Sequence, residues 1–230
     1  MTNFLFAPPT LGTNLALTGL PGGGNKIQDR SFCANPGTIT GATWKRLPSG
    51  LWYLSFDGND DLVTIPHHPN LQPADAITIK FWLKPVSLVD WDQIFGKTSG
   101  DAWSDGYGAY VFNSGGYTVK AWVNNYTVNP LSLKIDTGKW QHVVITYNRA
   151  WGTTGALRGY VNAVPATPAN ATAQIGANTA NLLWGKTSSG GYYFDGAIAL
   201  AEIIPSCGWS ALDARNSFDR EKHLFGVWSV

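Results

Sequence analysis

The feature that most constrains this chain is its punctuation. Short apolar runs recur along its length, and clusters of Gly, Pro, Asn, Asp and Ser close each one. Residues 76–83 alternate strictly, so that Ile77, Ile79, Phe81 and Leu83 fall on one face of an extended backbone. Comparable runs occupy 38–44, 51–56, 62–65, 92–97, 106–112, 118–123, 140–147, 157–164, 181–185 and 192–204. Short strands with turns at this spacing predict an all-β, antiparallel jelly-roll sandwich. The stretch 165–180, rich in Ala, Thr, Asn and Pro, reads as a loop.

One helix is expected, near the C-terminus. Ser210 with Asp213 three residues on forms a weak capping-box variant. Leu212, Arg215, Phe218 and Lys222 follow at helical spacing, and Gly226 is the stop. At the other end, residues 1–25 read as an N-terminal arm, broken by Pro8-Pro9 and Pro21-Gly22-Gly23-Gly24. Its apolar residues Phe4, Leu5, Phe6, Leu15 and Leu17 must pack on something: a first strand on the domain's own sheet, or a neighbouring molecule. Residues 26–230 then form a single domain, a size ordinary for a β-sandwich.

Charge excludes some functions. Sixteen Lys and Arg against fifteen Asp and Glu leave a net charge of +1, with no basic field for a phosphate backbone, so nucleic acid is not an expected partner. Glu202 and Glu221 are the only glutamates. A Glu–Glu glycosidase pair would need both, and a retaining mechanism wants carboxyls about 5–5.5 Å apart. In a regular strand Asp195 and Glu202 fall on opposite faces. His67, His68, His142 and His223 lie in no nucleophile motif, and no catalytic residue is assigned: the expectation is a non-enzyme. The first residues lack the basic and apolar regions of a secretory signal, and no apolar run is long enough to span a bilayer. A product made in the cytoplasm, with no membrane insertion, is expected.

Binding chemistry centres on aromatics, since the chain holds 11 Trp, 9 Tyr and 10 Phe. Trp91, Trp103, Tyr107, Tyr126 and Trp151 lie in or near loops rich in Asp, Asn, Ser and Gly, the mixture that stacks on and hydrogen-bonds sugars. Trp103, within 100–107, is the first choice. The same residues also read as core or interface aromatics. Trp44, Trp52, Trp82, Trp140 and Trp184 sit on strand patterns and are expected in the core. Cys33 and Cys207 could be bridged across the domain or stand as free thiols. Two sequons, 125–127 and 170–172, carry meaning only on a secretory route.

Several segments, in order, resemble the laminin-G-like branch of the concanavalin A-like lectin/glucanase superfamily. They are Asp29-Arg-Ser-Phe-Cys-Ala-Asn35 with Gly41-Ala-Thr-Trp44, Leu54-Ser-Phe-Asp-Gly-Asn-Asp-Asp-Leu-Val63, Ile79-Lys-Phe-Trp-Leu83, Gln93-Ile-Phe-Gly-Lys97, Gly138-Lys-Trp-Gln-His-Val-Val-Ile-Thr-Tyr147, Leu157-Arg-Gly-Tyr-Val-Asn162 and Phe194-Asp-Gly-Ala-Ile198. The resemblance implies a jelly roll ending in a short helix. It also implies one calcium ion near the junction of the early and closing strands, with Asp29, the Asp57-Gly58 turn and Asp195 as matching ligands; the Asp57–Asp60 residues read too as an ordinary hairpin turn. The chain departs from the catalytic members in lacking a Glu-x-Asp-x-Glu strand. Its closing strand reads Gly196-Ala-Ile-Ala-Leu-Ala-Glu202, without the acidic pair many members carry. The C-terminal helix with its aromatic tail, Phe225 to Trp228, resembles phage-borne members. The resemblance thus implies a structural or adhesive protein on a bacteriophage virion surface, a capsid decoration or tail/fibre component. Its partners would be other virion proteins, copies of itself, or a cell-surface glycan. The alternative is a free carbohydrate-binding lectin-like module that depends on calcium.

Overall fold

A computed structural model describes residues 9–228 apart from 22, 23, 101, 114, 129, 153, 172, 188 and 189. Phe4, Leu5, Phe6, Pro8, Gly22, Gly23 and Thr172 of the second sequon lie outside the described residues. The strands, in chain order, are β1 (Leu15–Pro21), β2 (Lys26–Asp29), β3 (Gly37–Thr40), β4 (Thr43–Arg46), β5 (Trp52–Asp57), β6 (Leu62–Ile65), β7 (Ala76–Ser87) and β8 (Gln93–Lys97). There follow β9 (Tyr107–Asn113), β10 (Tyr117–Val123), β11 (Leu131–Lys134), β12 (Gln141–Asn148), β13 (Leu157–Val161), β14 (Val164–Pro165), β15 (Leu182–Trp184) and β16 (Asp195–Pro205). Helix α1 (Ala211–Glu221) runs into a 3-10 turn, Lys222–Phe225.

Two antiparallel sheets result. The back sheet runs β4-β5-β16-β7-β12-β13-β14, and the front sheet runs β11-β10-β9-β8-β15-β6-β3-β2-β1. β1 belongs to both: Leu15 is registered with Ile203 of β16, and Leu17 with Asp29 of β2. The segment taken as an arm therefore becomes, from Leu15, a strand of the domain's own sheets, and the boundary at residue 25 falls inside the β1–β2 connection. The predicted 38–44 strand is two strands: at Gly41 the backbone turns with φ +74°, and a Cβ there would stand 1.9 Å from a carboxylate oxygen of Asp61. β2 and β11 have too few alternating residues to stand out in the sequence.

The expected alternation of β7 holds, with a consequence. Ile77, Ile79, Phe81 and Leu83 enter the core between the sheets. Their neighbours Thr78, Lys80 and Trp82 are equally buried, because the 207–209 segment, α1 and the 3-10 turn cover the centre of the back sheet's outer face. Trp82 stacks on Phe225 with centroids 4.0 Å apart. The capping box is present: the Ser210 hydroxyl and the Asp213 carboxylate satisfy each other's backbone N–H groups. The helix buries one stripe. It is Ala214, Ser217, Phe218 and Glu221, while Leu212 is 67% exposed. A charge decides that rotation.

That charge is Lys80, whose ammonium is fully buried. It lies 3.1 Å from Glu202 of β16 and contacts Glu221 of α1. Trp82 Nε1 donates to the other Glu221 oxygen at 2.8 Å, and the Thr10 N–H and Thr13 hydroxyl donate to Glu202. Burial alone would push the Lys80 amine down; the two carboxylates overcome it and hold the pKa above its usual value. Beside it His142 places Nε2 3.2 Å from Ser217 Oγ. Burial first, then the Lys80 and Arg220 charges, keep this imidazole neutral, its pKa well below the usual one.

β16 reaches this arrangement through an irregularity. Its register against β7 shifts between Ala199 and Glu202, where Leu200 takes φ +48°. Ile198, Ala201 and Ile203 all face the core, a spacing no regular strand allows. The bulge turns Glu202 outward, toward Lys80 and the helix.

Removing Lys80 strands two buried carboxylates. Lys80→Met should lower stability by about 3–5 kcal/mol in urea unfolding. Adding Glu202→Gln and Glu221→Gln to it should restore a large part of that loss.

Candidate functional site

With the centre of the back sheet covered, the front sheet supplies a broad open face. In β9 and β10 the inward residues Ala109, Val111, Val119 and Ala121 join the core. The outward ones include Tyr110, Phe112, Lys120 and Trp122. Trp122 lies flat because its cross-strand partner is Gly108, where a Cβ would come within 2.8 Å of the indole. Loops bring three more aromatics over this strand pair. Trp103, Tyr110 and Trp122 form a buried cluster, with Trp91, Phe112 and Tyr126 half-buried around it.

The geometry is that of mutual packing. Trp91 stacks on Tyr110 with centroids 5.1 Å apart, Trp103 lies parallel to Trp122 at 6.3 Å, and Tyr126 meets Trp103 edge-on at 5.0 Å. Two of the anchors carry backbone strain: Trp91 has φ +78° and Trp103 φ +42°, a region costly for residues with a large side chain. The Trp103 loop is held by Asp105, which accepts from Thr98 Oγ1 and Ser99 N at 2.9 and 2.8 Å and from Asn178 Nδ2 at 3.1 Å. Burial raises the Asp105 pKa, but the Ser99 hydroxyl, which also donates to it, and then these hydrogen bonds outweigh burial, and the net direction is down.

Of the five aromatics proposed for sugar contact, the fold brings Trp91, Trp103 and Tyr126 together. Trp103 is only 5% exposed, so it braces the cluster, and Trp91, Phe112 and Tyr126 present its accessible surface. Tyr107 points inward on β9, 1% exposed, and its hydroxyl donates to the Leu71 carbonyl at 3.0 Å; it has no face to offer a ligand. Trp151 lies elsewhere, on the 3-10 turn after β12, with the Arg158 guanidinium 4.0 Å over its ring. Tyr110, Phe112 and Trp122 escaped the sequence reading. Their signal was the alternation in β9 and β10, which sends aromatics to the face opposite Ala109, Val111, Val119 and Ala121.

The acidic residues separate in the same way. Asp57 and Asp195 are register partners across β5 and β16. Asp57, Asp60 and Asp61 bring carboxylate oxygens within 4.8 Å of one another. Asp29 is not part of this group. Its oxygens accept from Ala16 N, Ser31 N, Ser31 Oγ and Asn35 N at 2.7–2.8 Å, anchoring the loop that follows β2. Burial, then the charge of Asp57, raises the pKa of Asp61, and burial does so at Asp195, with Asp57 adding to it. Burial pushes Asp92 up to about 6, with Asp195 and Asp90 contributing. A hard-oxygen donor set of this kind fits calcium. The two glutamates do meet, but around the Lys80 ammonium in the interior, where neither faces a cleft. Cys33 and Cys207 are unbridged.

Residues 57–206, well over half of the chain, match the family described as the concanavalin A-like lectin/glucanases superfamily. The chain belongs to this superfamily. No curated protein matches it. Among solved structures it is similar to domain 4 of AbnA, an extracellular arabinanase of Geobacillus stearothermophilus, in complex with arabinotriose, with TM-score 0.66, 16% identity, and 89% of this chain and 97% of that one covered. The binding domain of Paraclostridial Mosquitocidal Protein 1 gives TM-score 0.68 and 12% identity over 90% of this chain and 52% of that one. Trypanosoma rangeli sialidase in complex with sialic acid gives TM-score 0.62 and 15% identity over 96% and 34%. The chain thus spans about half of the toxin domain's length and a third of the sialidase's. At these identities the superfamily member shares their fold. Among the described residues, no helix is long and apolar enough to cross a membrane.

The crowded acids make a pH prediction. A carboxyl raised from 3.8 to about 6 in the fold stays protonated where the unfolded chain has already ionised. Its contribution is therefore favourable at low pH and is lost as pH rises through about 6. Asp92→Asn keeps the acceptor that receives the Val89 N–H. It should raise the melting temperature at pH 7.5 and leave it little changed at pH 4 in a thermal scan.

Proposed function

We propose that this protein is a non-enzymatic, carbohydrate-binding lectin-like module whose ligand lies on the outer face of the front sheet. The observation that carries the reading is the aromatic cluster of Trp91, Trp103, Tyr110, Phe112, Trp122 and Tyr126, assembled on the open face of the front sheet. Half-buried rings with strained, hydrogen-bonded supports are pre-organised for stacking against the apolar face of a sugar, and rigid aromatics lose little conformational entropy on binding. The likeness in fold to an arabinanase domain in complex with arabinotriose supports it. The non-enzymatic part is supported by the burial of both glutamates around Lys80. Calcium, held by Asp57, Asp60 and Asp61 with Asp195 across the ladder, would offset the local negative charge and stiffen the β5–β6 turn.

The finer setting we propose is the surface of a bacteriophage virion, as a capsid decoration or tail/fibre protein with virion proteins or its own copies as partners. Its support is the resemblance of the C-terminal helix and aromatic tail to phage-borne members. Apolar surface that an assembly would cover adds to it: Leu11, Phe32 and Trp228 are strongly exposed.

Two experiments test these readings. On a glycan array followed by calorimetry, Trp91→Ala and Tyr126→Ala should each weaken binding about tenfold or more while melting as wild type does. Chelation with EDTA should lower the melting temperature in the wild type and not in Asp57→Asn. Unchanged binding in both aromatic variants would remove the sugar reading. Light scattering should give an oligomer that Phe32→Ser with Trp228→Ser reduces to monomer; a wild-type monomer would count against self-assembly.

A further inference from the structure

The two sheets end beside each other, and a groove runs between their free edges. β11 is the last strand of the front sheet, and β14 with the segment after it borders the back sheet. That segment, expected to be a loop, is held along β13: Ala166 N donates to Gly159 O at 2.9 Å, and Leu157 and Ala169 exchange two backbone bonds of 3.1 and 2.8 Å. On the other side Leu131 and Leu133 of β11 press on Gly159, where a Cβ would stand 2.6 and 2.8 Å from their methyl groups. The edges are thereby fixed at close range, and their outward side chains line the trough. Two adjoining cavities of about 530 and 520 Å³ share Ser132, Lys134 and Thr167.

The lining is mixed: Pro130, Pro168 and Ala169 lie among polar side chains. Thr118, Lys120, Ser132, Lys134, Thr167 and Asn170 face the first cavity. Lys120 is registered with Ser132 and Lys134 with Thr118, so the two lysines sit diagonally on one face of the β10–β11 pair. Lys120 Nζ donates to Ser132 Oγ at 2.7 Å. Neither lysine has a carboxylate partner among the described residues, and Asp136, on the wall of the second cavity, is taken by Lys139 at 3.0 Å. Lys120 also lies two residues before Trp122 on the same face of β10, so the groove continues the aromatic cluster.

We infer that this groove binds a carboxylated saccharide chain. Its sugar hydroxyls would meet the Ser, Thr and Asn side chains, and its carboxylates would accept charge-assisted hydrogen bonds from Lys120 and Lys134. The inference rests on the glycan-binding reading above and names the class of glycan. Two lysines in a chain of net charge +1 match the sparse, spaced carboxylates of an acidic polysaccharide; a nucleic-acid backbone would call for a far denser basic surface.

The test uses the full chain, with oligogalacturonate and oligosialic acid, each beside its neutral methyl ester. At least one acid should bind ten times or more as tightly as its ester, and added salt should shrink the difference. Lys120→Gln with Lys134→Gln should abolish the preference while leaving ester binding and the melting temperature unchanged. Equal affinity for acid and ester, or a preference that survives the double variant, overturns the inference and leaves the glycan reading intact. No binding to either member of either pair overturns the inference; a Trp91-dependent signal for neutral glycans on the array would then still uphold the broader reading.

Discussion

The Lys80 ammonium, buried between Glu202 and Glu221, is the interaction on which the rest of the structure depends. A lone buried ammonium carries a large desolvation cost, and it is tolerated only because two carboxylates and their own hydrogen-bond donors surround it. Each partner comes from a different part of the chain: Lys80 from the centre of the back sheet, Glu202 from the closing strand, Glu221 from the C-terminal helix. The pairing fixes the rotation of α1, so that Phe218 and Phe225 close over Trp82. Because the helix lies there, the central strands of the back sheet are covered on their outer side, while the front sheet keeps an open one.

The bulge at Leu200 is the backbone device that makes this pairing feasible. A regular β16 that kept Ile198 in the core would drive Glu202 into it as well. One extra residue changes the phase, so that Ile203 stays inside while Glu202 faces Lys80. The same edge of β16 then serves two partners, β5 before the irregularity and β1 after it. That division lets the N-terminal strand pass from one sheet to the other.

Aromatic packing and electrostatics occupy separate places on the molecule. The aromatic cluster needs Gly108 beneath Trp122 and left-handed backbone at Trp91 and Trp103, a constrained arrangement that holds several large rings against one strand pair. The acids gather at the β5–β6 turn, next to the start of β16, where burial and mutual repulsion raise several of their pKa values. The paired sheet edges leave a third surface, bearing two lysines without carboxylate partners among the described residues.

The sequence by itself determined the fold class and the core of its strands, because the period of two in residues such as Ile77, Ile79, Phe81 and Leu83 is a local property that survives folding. It also determined the helix start, since the Ser210–Asp213 capping box closes within one turn. It brought Asp57 and Asp195 together by resemblance, and it named Trp91, Trp103 and Tyr126 among its aromatics. Tertiary structure alone decided which residues those aromatics would join, because Tyr107 and Tyr110 are indistinguishable until the strand's two faces are assigned to core and surface. It decided that Asp29 would be filled by backbone N–H groups and kept away from the other acids. It decided, too, that the only two glutamates would meet across a lysine. These outcomes depend on contacts between residues up to 192 positions apart, and no periodicity in a sequence encodes a distance of that kind.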